Sequence, residues 1–129
     1  MATVTTTISV SYEDAAGNIR TFGVPLKERT PATAKVSLLT QTITTGADTN
    51  LNFGDISSPS EIGVKNLDPT NYVTIKDNSD VAVAVLRPDT NSDGNGGCLF
   101  ISEPGSNMSS PSARANTGSC EIEVFAASI

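Results

Sequence analysis

Histidine and tryptophan are absent from the 129 residues, and cysteine occurs only twice. Without histidine there is no imidazole general base, no Ser-His or Cys-His pair, and no imidazole ligand for zinc. Two cysteines alone, Cys98 and Cys120, make a structural zinc site untenable. No apolar run approaches the roughly 20 residues that cross a bilayer as a helix. Residues 1–7 have neither a basic region nor a continuous apolar core, so no secretory signal is read there and synthesis in a cytosol is expected. Positive charge is scarce too. Eight Lys and Arg face fourteen Asp and Glu, for a net charge of −6. Lys27, Arg29 and Lys35 are separated by acidic and neutral residues. Binding to nucleic acid needs several cations on one face to displace phosphate counterions, so neither nucleic acid nor an anionic membrane is an expected partner.

What is abundant is threonine and serine, 16 and 15 residues, together more than the 22 charged ones. Threonine is stiff at χ1 and suits a half-exposed pleated surface, whereas serine and the ten asparagines suit turns. The stretch 38–76 shows the consequence. Apolar residues recur at every second position in short runs, and Gly46, Gly54-Asp55, Ser58-Pro59 and Asp68-Pro69 punctuate them.

Strands are expected at 8–12, 19–24, 35–45, 50–56, 61–66, 72–76, 81–86, 98–102 and 120–127, with a polar connection over 26–33. Residues 77–80 read as a hairpin turn, and 103–119 as an irregular, Ser/Pro-biased surface loop or arm. Its segment 109–116 is the one helix-tolerant piece, short and interrupted by Pro111. Eight or nine strands without sustained helical periodicity imply an all-β antiparallel sandwich over 1–129, the jelly roll being one such form. Immunoglobulin topology competes, but its Cys-Trp-Cys hallmark cannot exist here. Residues 1–7, with three consecutive threonines, read as an N-terminal arm that is mobile until a neighbouring subunit orders it as an added strand.

Three constellations carry chemical interest. Asp89, Asn91 and Asp93 with Gly94 match the first half of a calcium loop, but Phe100 stands where the bidentate Glu belongs. A polar hairpin loop is the plainer reading, and no metal or cofactor is expected. Cys98 and Cys120 either pair across strands or, as a reducing cytosol favours, remain two buried, inert thiols. Paired acids such as Glu61, Asp68, Glu121 and Glu123 could serve glycosidase chemistry. Carbohydrate clefts also present aromatic platforms, however. Of Tyr12, Phe22, Phe53, Tyr72, Phe100 and Phe125, at least Phe53, Phe100 and Phe125 read as core. No catalytic residue is expected, and Asn107-Met108-Ser109 is a sequon without a secretory context.

The segment 51–59 (LNFGDISSP), followed by 64–73 (VKNLDPTNYV), resembles small β-sandwich virion proteins of tailed bacteriophages. In those chains a G-D-I-S-x-P segment precedes a strand ending in K-N-L-D-x-T-N-Y-V, and a strand with alternating acids closes the chain. The likeness covers about the middle third of the sequence. It implies a capsid decoration (cement) protein that binds the major capsid protein from outside, as a trimer at local three-fold sites, or a tail or baseplate module that binds a host receptor or carbohydrate. In the second case the tips would be 87–97 and 103–119. The family has no catalytic residues to carry over, and location in a virion assembled in the host cytoplasm follows from it. Physically, Asn66, Asp68 and Asn71 can hydrogen-bond nearby backbone and fix a corner between two strands, while Val64, Leu67, Tyr72, Val73 and Ile75 supply apolar contacts.

Overall fold

A computed structural model describes residues 4–29, 35–94 and 96–128. The chain forms two compact units that divide between residues 34 and 35. In the first, β1 (Val4–Glu13) and β2 (Ile19–Arg29) form an antiparallel hairpin. Its turn is set by Asp14, whose Oδ1 accepts the amides of Ala16 and Asn18 at 3.0 and 2.9 Å, with Gly17 at φ +82°. Strand β2 runs on to Arg29, past the connection expected from residue 26. The ladder slips between Thr6 and Ile8, which face Lys27 and Val24, so Pro25 falls in an irregularity where its missing N–H costs no regular bond. The hairpin takes in part of the segment expected as an arm. Val4, Thr5 and Thr6 pair with Arg29, Glu28 and Lys27, so the threonines are strand residues, while Met1–Thr3 lie outside the described residues.

The second unit is a sandwich of two four-stranded antiparallel sheets, and the all-β expectation holds. Its strands are β3 (Lys35–Ile43), β4 (Thr49–Asn50), β5 (Glu61–Asn66), β6 (Val73–Lys76), β7 (Ala82–Leu86), β8 (Cys98–Ser102), β9 (Ser112–Ala115) and β10 (Cys120–Ser128). The sheets are ordered β3-β10-β5-β8 and β4-β9-β6-β7. The pairs β3–β10, β4–β9, β5–β8 and β6–β7 are nested about the 77–80 turn. A long two-ply ribbon is thus rolled so that β10 also pairs β5 and β9 also pairs β6. That is the jelly-roll topology.

Period-2 alternation explains why these residues form these sheets. Along β10, Cys120, Ile122, Val124 and Ala126 point inward and are buried, against Glu121 and Glu123 on the other face. They meet Ile43, Ile62 and Val64 of the same sheet and Val73, Ile75, Leu86, Ala113 and Ala115 of the facing one in a single core. Each buried Ile or Val contributes roughly 1.5–3 kcal/mol, so this core outweighs any surface ion pair of the unit.

Two sequence expectations fail here for physical reasons. The strand expected at 50–56 ends at Asn50. Asn52 Oδ1 accepts the Gly54 amide at 2.9 Å and Gly54 turns to φ +64°, although Leu51, Phe53 and Ile56 still reach the core. Within 103–119, one 3-10 turn (Ser106–Met108) precedes β9, an interior strand of its sheet. Its Ser-Ala-Arg-Ala sequence buries Ala113 and Ala115, and small side chains hid the alternation. This stretch is therefore no free arm, and 109–116 is not helical.

Candidate functional site

On the outer face of the β3-β10-β5-β8 sheet, Leu38, Phe125, Gly63 and Phe100 lie side by side in one cross-strand row. The next row along is Thr40, Glu123, Lys65 and Cys98. Gly63 has no side chain where its neighbours carry rings, and a gap results. A methyl group added to Gly63 would sit 3.3 Å from Phe125 Cβ, 3.6 Å from Phe125 Cδ1 and 3.8 Å from Phe100 Cδ2. Above it opens a slot of about 260 Å³, lined by Gly63, Lys65, Cys98, Phe100, Glu123 and Phe125 together with Val64 and Leu99. Leu38 is 61% exposed at one end of the row. Lys65 Nζ and Glu123 Oε1 are 3.9 Å apart at the slot's polar end, both partly exposed, a weak pair.

The structure thus corrects the reading of Phe100 and Phe125 as core. Both are half-buried on the outer face, and only Phe53 of the three enters the core. The signal was present in the sequence, since Phe125 shares the parity of Glu121 and Glu123 and not that of Ile122 and Val124. The two thiols differ as well. Cys120 is buried, and burial pushes its pKa up from 9.0 to about 11, with the nearby Asp68 carboxylate adding to the rise. Cys98 is exposed, so the expectation of two buried thiols fails for it. Strand β5 lies between their two strands, and both cysteines are free.

The candidate acids stay scattered. Glu123 is at the slot, Glu121 is exposed on the same strand, Glu61 is buried on β5, and Asp68 holds a loop. In the 87–97 loop, Asp89 turns its carboxylate inward, accepting the amides of Asp93 at 3.2 Å and Gly94 at 2.8 Å. Asp89 is itself buried, and its oxygens shape the loop. Among the described residues, no group of three or more Cys, Asp or Glu is placed to hold a metal ion.

At the 66–72 corner Asn66 and Asp68 bond nearby backbone as expected, whereas the Asn71 side chain bonds a distant side chain. Asn66 Oδ1 accepts the Asp68 amide at 3.0 Å, Asp68 Oδ1 accepts the amides of Thr70 and Asn71, and Thr117 Oγ1 bonds Asn71 Oδ1 at 2.7 Å. Across the other sheet's outer face, Lys76 binds Asp48 at 2.9 Å and Asp80 at 3.0 Å, and Arg114 approaches Asp48 at 3.9 Å. The Lys76 ammonium holds the Asp48 carboxyl below its usual range, while Asp48 and Asp80 raise the Lys76 pKa. Beside this cluster, Val81, just before edge strand β7, and Val83 and Val85 on it lie exposed.

No protein-family model matches the chain, and no curated protein or solved structure matches it.

Proposed function

We propose that the chain is a structural virion protein, a capsid decoration (cement) protein that binds the outer capsid surface and stabilises the shell. The observation that carries this reading is a pair of exposed apolar strips on different sheets. One is the Leu38–Phe125–Gly63–Phe100 row with its slot, and the other is the valine run of Val81, Val83 and Val85 at and beside β7. Contiguous exposed apolar surface marks sites of association, and a protein that bridges neighbours needs two such surfaces. The jelly roll recurs in viral capsid domains, which supports the reading by fold analogy alone. The sequence likeness at 51–73 points the same way. The partner is the major capsid protein, and self-association as a trimer at local three-fold sites belongs to the same proposal.

A second reading, a tail or baseplate module for a host receptor or carbohydrate, is favoured by the two rings flanking Gly63 with Lys65 and Glu123 at one end. Immunogold labelling of virions with antibody to this chain separates the two. Label over the head is expected, label at the tail alone selects the second reading, and unlabelled particles reject both. Size-exclusion chromatography with light scattering tests the trimer.

A further inference from the structure

We propose that the slot over Gly63 receives one aromatic side chain, a tyrosine, presented by a partner protein. This inference rests on the reading of the chain as a binding protein and names what the slot binds.

Phe125 and Phe100 flank Gly63 on adjacent strands, so their backbones are two strand spacings apart, about 9–10 Å. Ring atoms of both come within 4 Å of the point where a Gly63 side chain would begin. Carbon atoms in contact sit about 3.5–4.0 Å apart, so no more than one planar group can stand between the two rings. The volume agrees. At about 260 Å³ the slot is smaller than the roughly 300–1,000 Å³ of pockets for drug-sized ligands, which suits a single ring.

The polar end selects among rings. Lys65 and Glu123 occupy the next row, two residues along each strand and so about 7 Å away, near the reach of a phenol. Their own contact is long, at 3.9 Å, and leaves hydrogen-bonding capacity on both. A tyrosine hydroxyl donates to the Glu123 carboxylate and accepts from the Lys65 ammonium. A phenylalanine would fill the same space yet shield these charges without replacing their water. A pyranose could stack its C–H faces on the two rings, but it carries hydroxyls around its whole edge, and those turned toward the Gly63 floor would stay unpaired.

The test is a titration of the full-length protein with N-acetyltyrosinamide, followed by backbone amide shifts at Gly63, Phe100 and Phe125 in two-dimensional NMR. N-acetylphenylalaninamide and methyl glucoside serve as comparisons. Saturable shifts with the tyrosine compound are expected, with about tenfold weaker binding of the phenylalanine compound and none of the glucoside. Gly63→Val, which fills the slot, should abolish the shifts. If that variant misfolds, Phe100→Ala, which removes one wall, should weaken binding by a similar factor. Absence of saturable shifts, equal affinity for the two amides, or binding of the glucoside alone overturns the proposal. Labelled virions without tyrosinamide binding would reject the tyrosine and keep the shell role, and tyrosinamide binding with unlabelled virions would do the reverse.

Discussion

Asn66 on β5 and Leu86 on β7 belong to opposite sheets, and a buried hydrogen bond of 3.2 Å joins the Asn66 amide to the Leu86 carbonyl. The same amide nitrogen lies 3.1 Å from the Arg87 carbonyl and 2.8 Å from that of Asn71, so one side chain ties three chain segments together. An unmade buried hydrogen bond costs about 1–3 kcal/mol. Asn66→Ala is expected to lower the unfolding free energy by roughly 2–4 kcal/mol in urea titration. A loss under about 1 kcal/mol would show that water replaces the amide.

Glycines 96 and 97 are required by close approach of backbone, not by φ. A methyl group on Gly97 would stand 2.5 Å from the Arg87 nitrogen and 2.9 Å from Leu86 Cα, whereas one on Gly46 meets nothing within 4 Å. Gly97→Ala is therefore expected to destabilise by about 1–3 kcal/mol or more, with Gly46→Ala within about 0.5 kcal/mol of the parent. Thermal melts of the two variants side by side check this.

The thiols should separate cleanly in a colorimetric thiol assay at pH 8. Cys98 is exposed and reacts in the native protein. Cys120 is buried, its thiol pushed up to about 11, and reacts only after unfolding. Because the folded state favours the neutral Cys120, stability is expected to decline as pH rises above the ordinary thiol value of 9.0. Cys120→Ser should flatten that alkaline limb, and two fast-reacting thiols in the native protein would contradict the burial.

Asp48 gives the opposite limb. Its pKa is lowered from 3.8, chiefly by the hydrogen bond from Lys76, so its stabilising contribution is present above about pH 4 and fades as pH falls through the lower folded value. Urea midpoints measured from pH 7 to 2.5 should fall less steeply for Asp48→Asn than for the parent. Unchanged steepness would mean that the pair dissolves in solution. High salt should shrink the difference, because Asp80 and Arg114, the other members of the cluster, are largely exposed.

Much of the sandwich was legible because its burial is one-sided. Strands 61–66 and 98–102 fall where alternation and bounding turns place them. What escaped was encoded by size and by distant partners. Ala113 and Ala115 mark an interior strand, yet alanine beside serine resembles a loop until a facing sheet is there to bury it. Gly54 breaks a periodic run at Phe53, and only its φ reveals that the run is a corner. The slot was half legible. Phe125 keeps step with Glu121 and Glu123, but that Gly63 falls between it and Phe100 depends on the β5 register with two strands remote in sequence.

The nested pairing about 77–80 also implies an order of closure that refolding kinetics can check. Strands β6 and β7 are joined by a turn in which Asp77 Oδ1 already caps the amides of Ser79 and Val81, so their closure spans few residues. Once they have met, β5 and β8 are brought near, then β4 and β9, and last β3 and β10, whose outermost partners are Lys35 and Ser128. Each closure shortens the loop left for the next, which spares a chain rich in long-range contacts much of the entropy of a random search. Such a ribbon is expected to zip from its middle. Lesions near the 77–80 tip should slow refolding, while lesions on β3 or β10 should chiefly quicken unfolding.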